Sequence, residues 1–211
     1  MTNITHLLTR ILALATLSVA TLLAPAAHGQ SGQKHTTISV PQPSDVPGKI
    51  QVLEFFAYSC PHCATMEPMV EAWVKTLPEN VVFAGVPVAF NASMADLQKL
   101  YYTLDALDRL DLHPKVFDAI HKQRKRIYDA KAITDWAVEQ GIDRAQFEAA
   151  FNSFGINAKV ARANELAQKY EIEGTPSLAV DGKYVTSPSM TGSYQGTIDE
   201  AQKILDGLTK S

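Results

Sequence analysis

Cysteine is scarce in this chain: two in 211 residues, Cys60 and Cys63. That excludes a small disulfide-stapled scaffold, which needs several bridges in place of a large core. A long apolar run is also missing. Ile11–Leu23 (ILALATLSVATLL) is apolar but too short for a comfortable membrane span. Basic excess is missing as well, with 19 Lys and Arg against 22 Asp and Glu and a net charge of −3. Such a balance argues against nucleic acid as the main partner. There is no internal repeat.

What is present begins with an export pattern. Met1–Arg10 carries one positive charge and no acidic residue, and Ile11–Leu23 supplies the apolar stretch. Ala24-Pro25-Ala26-Ala27-His28-Gly29 then offers small residues at cleavage spacing. Residues 1–29 are expected to be a signal peptide, cleaved after Ala26, Ala27 or, by preference, Gly29. Export places thiols where disulfides persist. The remaining chain is long enough for one domain with a sizeable core, or a domain plus an insertion.

Residues 30–49 are polar and rich in Pro and Gly, a flexible lead-in with a short edge strand expected at Thr37–Val40. Ile50–Ala57 (IQVLEFFA) is nearly continuously apolar, as a central strand covered on both faces should be. Pro61–Leu77 reads as a helix with Pro favoured at its start. Pro68 is expected to kink it and Pro78 to stop it. Val81–Phe90 reads as a second buried strand.

Residues 91–170 change to helix formers, with helices expected at Met94–Leu110, Pro114–Lys125, Ala130–Gln140, Asp143–Phe151 and Asn157–Tyr170. Asp143 with Gln146 resembles a capping box, and Gly141 suits a helix C-terminus. The basic run Lys122–Arg126 reads as a solvated helix face. Strand signal returns at Ser177–Val180 and Lys183–Val185 around Asp181-Gly182, a hairpin signature. Thr197 with Glu200 reads as the capping box of a last helix. The order is β-α-β, a helical block, then β-β-α: an α/β domain interrupted by an all-helical insertion.

The chemistry gathers at Cys60-Pro61-His62-Cys63. A bridge between cysteines two residues apart closes too small a loop to remove much unfolded-chain entropy, so it is a poor staple. It suits a bond made and broken repeatedly. Cys60 falls between a buried strand and a helix N-terminus, where backbone N–H groups and the helix dipole favour negative charge. Both lower a thiol pKa, and the thiolate is the reactive form. Cys63, a turn further in on the Met66 and Val70 side, should be buried and stay protonated. Cys60 would then engage the partner and Cys63 resolve the mixed disulfide.

His62 is placed to stabilise a Cys60 thiolate by hydrogen bond or charge; the bland alternative is an exposed loop histidine. Glu54, the acidic residue in an apolar strand six residues before Cys60, either passes protons to and from Cys63 through a water or faces solvent at a sheet margin. Thr175-Pro176 opens the late hairpin. A cis bond there would turn the Thr175 backbone towards an extended peptide; the alternative is an ordinary trans turn.

These residues together resemble the thioredoxin superfamily and, within it, the DsbA family of periplasmic thiol oxidases. The resemblance rests on Glu54-Phe55-Phe56, Cys60-Pro61-His62-Cys63, the helical insertion and Gly174-Thr175-Pro176-Ser177, and it covers essentially the whole chain after the export signal. It implies a thioredoxin-like fold built from residues 50–90 and 171–211, with 91–170 as the insertion. It implies a periplasmic enzyme, without cofactor or metal, that donates a Cys60–Cys63 disulfide to reduced, unfolded exported proteins. Cys60 would be the nucleophile, Cys63 the buried partner, His62 the thiolate stabiliser, Glu54 the buried acid and Pro176 a cis residue beside the disulfide. A DsbB-like membrane protein would reoxidise the pair and pass electrons to quinone, and the protein would act as a monomer. One departure stands out. Some members carry a basic residue on the second central strand near the buried carboxylate, and Val81–Phe90 has none.

Three competing readings separate by experiment. The protein could be a disulfide isomerase or reductase, although residues 30–49 are short for a dimerisation segment. It could hold a thiophilic metal with Cys60, His62 and Cys63, although structural zinc needs four ligands. It could be a chaperone-type binder using the surface around Pro176.

Overall fold

The computed structural model describes residues 32–209, so the expected signal peptide lies outside the described residues. Five strands form one sheet: β1 (Thr36–Thr37), β2 (Ile50–Phe56), β3 (Val81–Pro87), β4 (Ser177–Val180) and β5 (Tyr184–Thr186). Their order is β1-β5-β4-β2-β3. β2 pairs parallel with β3 and antiparallel with β4, so it has a neighbour on each side and every residue after Ile50 is buried. A near-continuous apolar run is the sequence form of such a strand.

Alternation along β2 sends its side chains into different cores. Val52 packs with Met66 and Val70 of α1 (Pro61–Val74) and with Ala201 and Leu205 of α8 (Tyr194–Thr209). Leu53 and Phe55 face the other way, towards Ala163 and Leu166 of α6 (Phe154–Lys169). Phe56 joins a third core with Leu100 and Leu104 of α2 (Ala95–Ala106) and Val116 and Phe117 of α3 (His113–Phe117). Burying Phe55 and Phe56, both fully enclosed, stabilises the fold by roughly 2–3 kcal/mol each. That third core also takes in α4 (Ala130–Glu139) and α5 (Arg144–Phe151) through Ile133, Trp136 and Phe147. All helices from α2 to α6 fall between β3 and β4 in the chain, which makes this a thioredoxin-like α/β fold with a helical insertion.

Several local expectations hold for the reasons given. Asp143 caps α5 by accepting the Gln146 N–H at 2.9 Å. Asp181 and Gly182 both adopt left-handed backbone, as the two central positions of a tight hairpin turn require. Gly182 is required a second time, because a β-carbon there would lie 1.7 Å from the Gln42 carbonyl.

Others need correction. The edge strand is Thr36–Thr37, earlier and shorter than Thr37–Val40. α1 ends at Val74 instead of Leu77, with Pro68 inside it. β3 ends at Pro87, whose ring supplies no ladder N–H, instead of Phe90. α2 stops at Ala106 instead of Leu110, just before Asp108 turns left-handed. The helix expected over Pro114–Lys125 is α3 followed by a π-helical turn at Asp118–Lys122. α6 starts at Phe154 instead of Asn157, because Ser153 Oγ caps the Ile156 N–H at 3.2 Å. The Thr197–Glu200 capping box is not the start of the last helix. Ser193 Oγ accepts the Gly196 N–H at 2.9 Å one turn earlier. Thr197 lies inside α8, and Glu200 meets His35 at 2.7 Å. A short helix, α7 (Pro188–Thr191), precedes α8 and has only weak sequence signal.

Candidate active site

Cys60 is the N-cap of α1. Its backbone is extended, and its sulfur accepts the Cys63 N–H at 3.3 Å. Pro61 follows as the first helical residue, where its missing N–H leaves nothing unsatisfied. The first turn of α1 carries no acidic side chain, so the charge favoured by those free N–H groups is the sulfur's own. Both cysteines are free thiols in the structure, Cys60 half-buried and Cys63 1 % exposed.

The two thiols are driven apart. Cys60 is brought down to about 5, chiefly by a hydrogen bond from the Cys63 thiol. Partial burial opposes this, while the backbone N–H of Cys63, the Thr175 side chain and the backbone N–H of His62 assist it. Cys63 is pushed far up, first by burial and then by donating to, and sitting beside, the Cys60 sulfur. A single hydrogen bond therefore stabilises one sulfur as the anion and holds the proton on the other.

Thr175 and Pro176 face the pair from the start of β4, joined by a cis peptide bond. The Thr175 carbonyl lies 3.3 Å from Cys60 Sγ and accepts from it when Cys60 is a thiol. A groove of about 700 Å³ opens beside them, lined by Gly174, Pro176, Met190 and Tyr194 among others. His62 also lines it, but its ring is turned to Tyr194: Nδ1 lies 2.7 Å from the Tyr194 hydroxyl. The backbone N–H of His62 is among the groups that lower the Cys60 pKa.

On the other side of the pair, Glu54 is 2 % exposed in the middle of β2. It is not at a sheet margin. Alternation puts it on the α1 face with Val52, where it meets Glu67, 7 % exposed. Burial first, and the Glu67 charge second, hold the Glu54 carboxyl well above the usual carboxylate range. Its register partner on β3 is Gly85. The Tyr101 hydroxyl fills that space, 2.5 Å from where a β-carbon at Gly85 would stand, so no side chain can approach Glu54 from there.

Four contributors escaped the sequence reading. Glu67 was within reach of it, because it lies four residues after Cys63 and so on the same helix face. Tyr58 lies two residues before Cys60, but its role shows only through His113, 55 residues away, and Tyr194 reaches the site across 132 residues of chain. His113 bridges two of the others: Nδ1 is 2.7 Å from the Tyr58 hydroxyl, and Nε2 is 3.2 Å from Glu67 Oε2. The second contact is within ion-pair distance, but the ring N–H is not aligned on the oxygen, which is otherwise without a donor. It is a contact at ion-pair distance, not a hydrogen bond.

Comparison with known proteins agrees with this geometry. A family model described as DSBA-like thioredoxin domain matches residues 74–195, and one described as Thioredoxin matches residues 44–101. The chain belongs to the DsbA family. It is 55 % identical over 201 residues to the thiol:disulfide interchange protein DsbA of Bordetella parapertussis, covering 95 % of this chain and 94 % of that one. Identity to DsbA of Burkholderia cepacia is 40 %, covering 93 % and 90 %. Among solved structures, DsbA of Pseudomonas aeruginosa superposes with a TM-score of 0.79 at 31 % identity, covering 84 % of this chain and 95 % of that one. A DsbA oxidoreductase of Neisseria meningitidis does so at 0.74 and 28 %, covering 85 % and 93 %. Like its DsbA relatives, the protein is a thiol:disulfide oxidoreductase.

Proposed function

We propose that this DsbA-family protein is an oxidase, donating its Cys60–Cys63 disulfide to reduced, unfolded exported proteins in the periplasm. A substrate thiolate attacks Cys60 Sγ, and the S–S electron pair leaves on Cys63. A second substrate thiol then attacks the substrate sulfur of the mixed disulfide and expels the Cys60 thiolate. The substrate leaves oxidised by two electrons and the protein leaves as the dithiol. Residues 50–90 and 171–211 provide the redox domain, and residues 91–170 cover it as the insertion. A DsbB-like, quinone-linked membrane oxidase restores the disulfide, and the protein works as a monomer.

The carrying observation is the Cys60 sulfur acting as helix cap, brought down to about 5. An anion so stabilised exists only in the reduced form, so the reduced form gains and the disulfide becomes a stronger oxidant. Each pKa unit corresponds to about 30 mV for this two-electron couple. A low-pKa sulfur is also a good leaving group when the mixed disulfide resolves.

His62 supports the anion by its backbone N–H and, when protonated, by charge. Glu54 passes a proton to Cys63 as that sulfur leaves and takes it back on reoxidation. Thr175 and Pro176 present backbone and ring to an extended substrate segment, whose apolar side chains enter the groove past Met190 and Tyr194.

Reduced ribonuclease and scrambled ribonuclease, assayed side by side, test the reading. Activity regained faster from the reduced substrate is expected. Preference for the scrambled substrate would assign an isomerase, and groove-dependent suppression of aggregation surviving Cys60→Ser would assign a binder.

A further inference from the structure

Two buried carboxylate oxygens, Glu54 Oε1 and Glu67 Oε2, lack an aligned hydrogen-bond donor. Both residues line one cavity of about 340 Å³ that shares no lining residue with the groove beside Pro176. Ionising both carboxylates of one buried cavity is costly, so the pair favours sharing a proton. What decides which of the two holds it is a basic neighbour.

The structure narrows the choice of neighbour. β3 offers none, because Gly85 faces Glu54 and the Tyr101 hydroxyl occupies the space. Lys75, at the cavity rim on α1, is engaged with Glu71 at 2.8 Å. Arg109 is engaged with Asp111, the other acid at the rim, at 3.0 Å. Tyr58 and Tyr101, the remaining titratable groups around His113, are both held as neutral phenols, mainly by burial. Among the described residues that leaves His113 of α3 as the basic side chain in contact with the buried acids.

We infer that His113 is a positioning residue: from the helical insertion it holds Glu67 as the carboxylate and thereby keeps the shared proton on Glu54, ready for Cys63. The inference rests on the proton-transfer role proposed for Glu54. The two ring nitrogens of His113 face two partners: Nδ1 lies 2.7 Å from the Tyr58 hydroxyl and Nε2 lies 3.2 Å from Glu67 Oε2, so a protonated ring sets its charge beside Glu67. Tyr58 is itself fixed, since its carbonyl lies 2.8 Å from Nε2 of His121, which follows α3 in the π-helical turn. The insertion therefore grips the strand end before Cys60 with two histidines, and one of them reaches Glu67.

The proton balance is simple. When substrate thiolate bonds to Cys60 Sγ, the S–S bond breaks and Cys63 takes the electron pair. The Glu54 carboxylic acid gives Cys63 its proton and becomes a carboxylate. It regains a proton from solvent through the cavity that Glu54 lines. Reoxidation runs the transfer in reverse.

Carboxyl 13C NMR of glutamate-labelled full-length protein, beside the pH profile of the step that releases Cys63, tests this. In the wild type at mildly acid pH, the Glu54 signal is expected at the protonated position and the Glu67 signal at the ionised one. His113→Gln should move the Glu67 signal at least halfway to the protonated position and displace the rate profile by about one pH unit, the size of effect expected for removing a charge at this distance. His113→Lys should restore both. Should His113→Gln fold poorly, Glu67→Gln provides an independent arm, because removing the second negative charge should move the Glu54 signal towards the ionised position. Unmoved signals and profile in His113→Gln and an unmoved Glu54 signal in Glu67→Gln, with Glu54→Gln still slowing the step, would overturn the role of His113 alone. A Glu54→Gln variant with an unaltered rate at every pH would overturn the underlying role of Glu54.

Discussion

Cys60 and Cys63 are three residues apart, yet they occupy opposite environments. On the Cys60 side the helix start supplies N–H groups, Thr175 faces the sulfur, and the groove is open to solvent. On the Cys63 side the sulfur is enclosed, and beyond it lie two buried acids and a histidine brought by the insertion. The first side is built for a stable anion. The second is built for a stable proton. One turn of helix separates them, because a helix N-terminus offers unsatisfied donors only in its first turn. Asymmetry in reactivity thus requires no difference in residue type.

The contrast should break most completely at Cys60. Cys60→Ser should abolish disulfide transfer while leaving the fold intact, as an insulin or ribonuclease assay beside circular dichroism would show; retained transfer would reassign the nucleophile to Cys63. Next in size is the proton side. Glu54→Gln should slow Cys63 release and reoxidation by roughly a hundredfold, the lower end of the range for general acid–base catalysis. Stopped-flow measurement should find the loss in those steps and not in the pH dependence of Cys60 alkylation.

Stability sharpens the comparison further. The depressed Cys60 pKa contributes stability to the reduced form that is fully present above the unfolded thiol value and disappears as pH falls through about 5. Near neutral pH the reduced protein should therefore unfold at higher urea than the oxidised protein, by on the order of a few kcal/mol. That inverts the usual effect of a disulfide, and coincident midpoints would count against an oxidising protein. Iodoacetamide trapping of Cys60 should lose rate through the same window, with its midpoint near 5. Tyr194→Phe should have the smallest effect. Freeing the exposed His62 ring should move that alkylation midpoint by a few tenths of a unit.

Much of the scaffold was legible because it is written in local terms. The apolar run Ile50–Phe56, the Pro after Cys60, Asp143 before α5 and Asp181-Gly182 each specify their structure through nearest neighbours. The misreadings lie where two local signals competed. Thr197-Ile198-Asp199-Glu200 has the capping pattern, but Ser193 reaches the free N–H groups a turn earlier. Pro114–Lys125 has helical composition, but its second half widens into a π-helical turn that leaves His121 against the Tyr58 carbonyl.

The site divides in the same way. Residue order alone determined that Cys60 would cap a helix after a buried strand and that Cys63 would follow one turn inside it. Helix geometry puts the first sulfur among free N–H groups and the second one turn inside, and burial then drives the two further apart. Only the tertiary structure decided what stands beyond each sulfur: Tyr194 drawing away the His62 ring, Glu67 beside Glu54, Tyr101 in place of a side chain at Gly85, and His113 arriving from the insertion. Those contacts join segments far apart in the chain. Charge coupling depends on distance and burial in space, which residue spacing does not encode once the chain has turned back on itself.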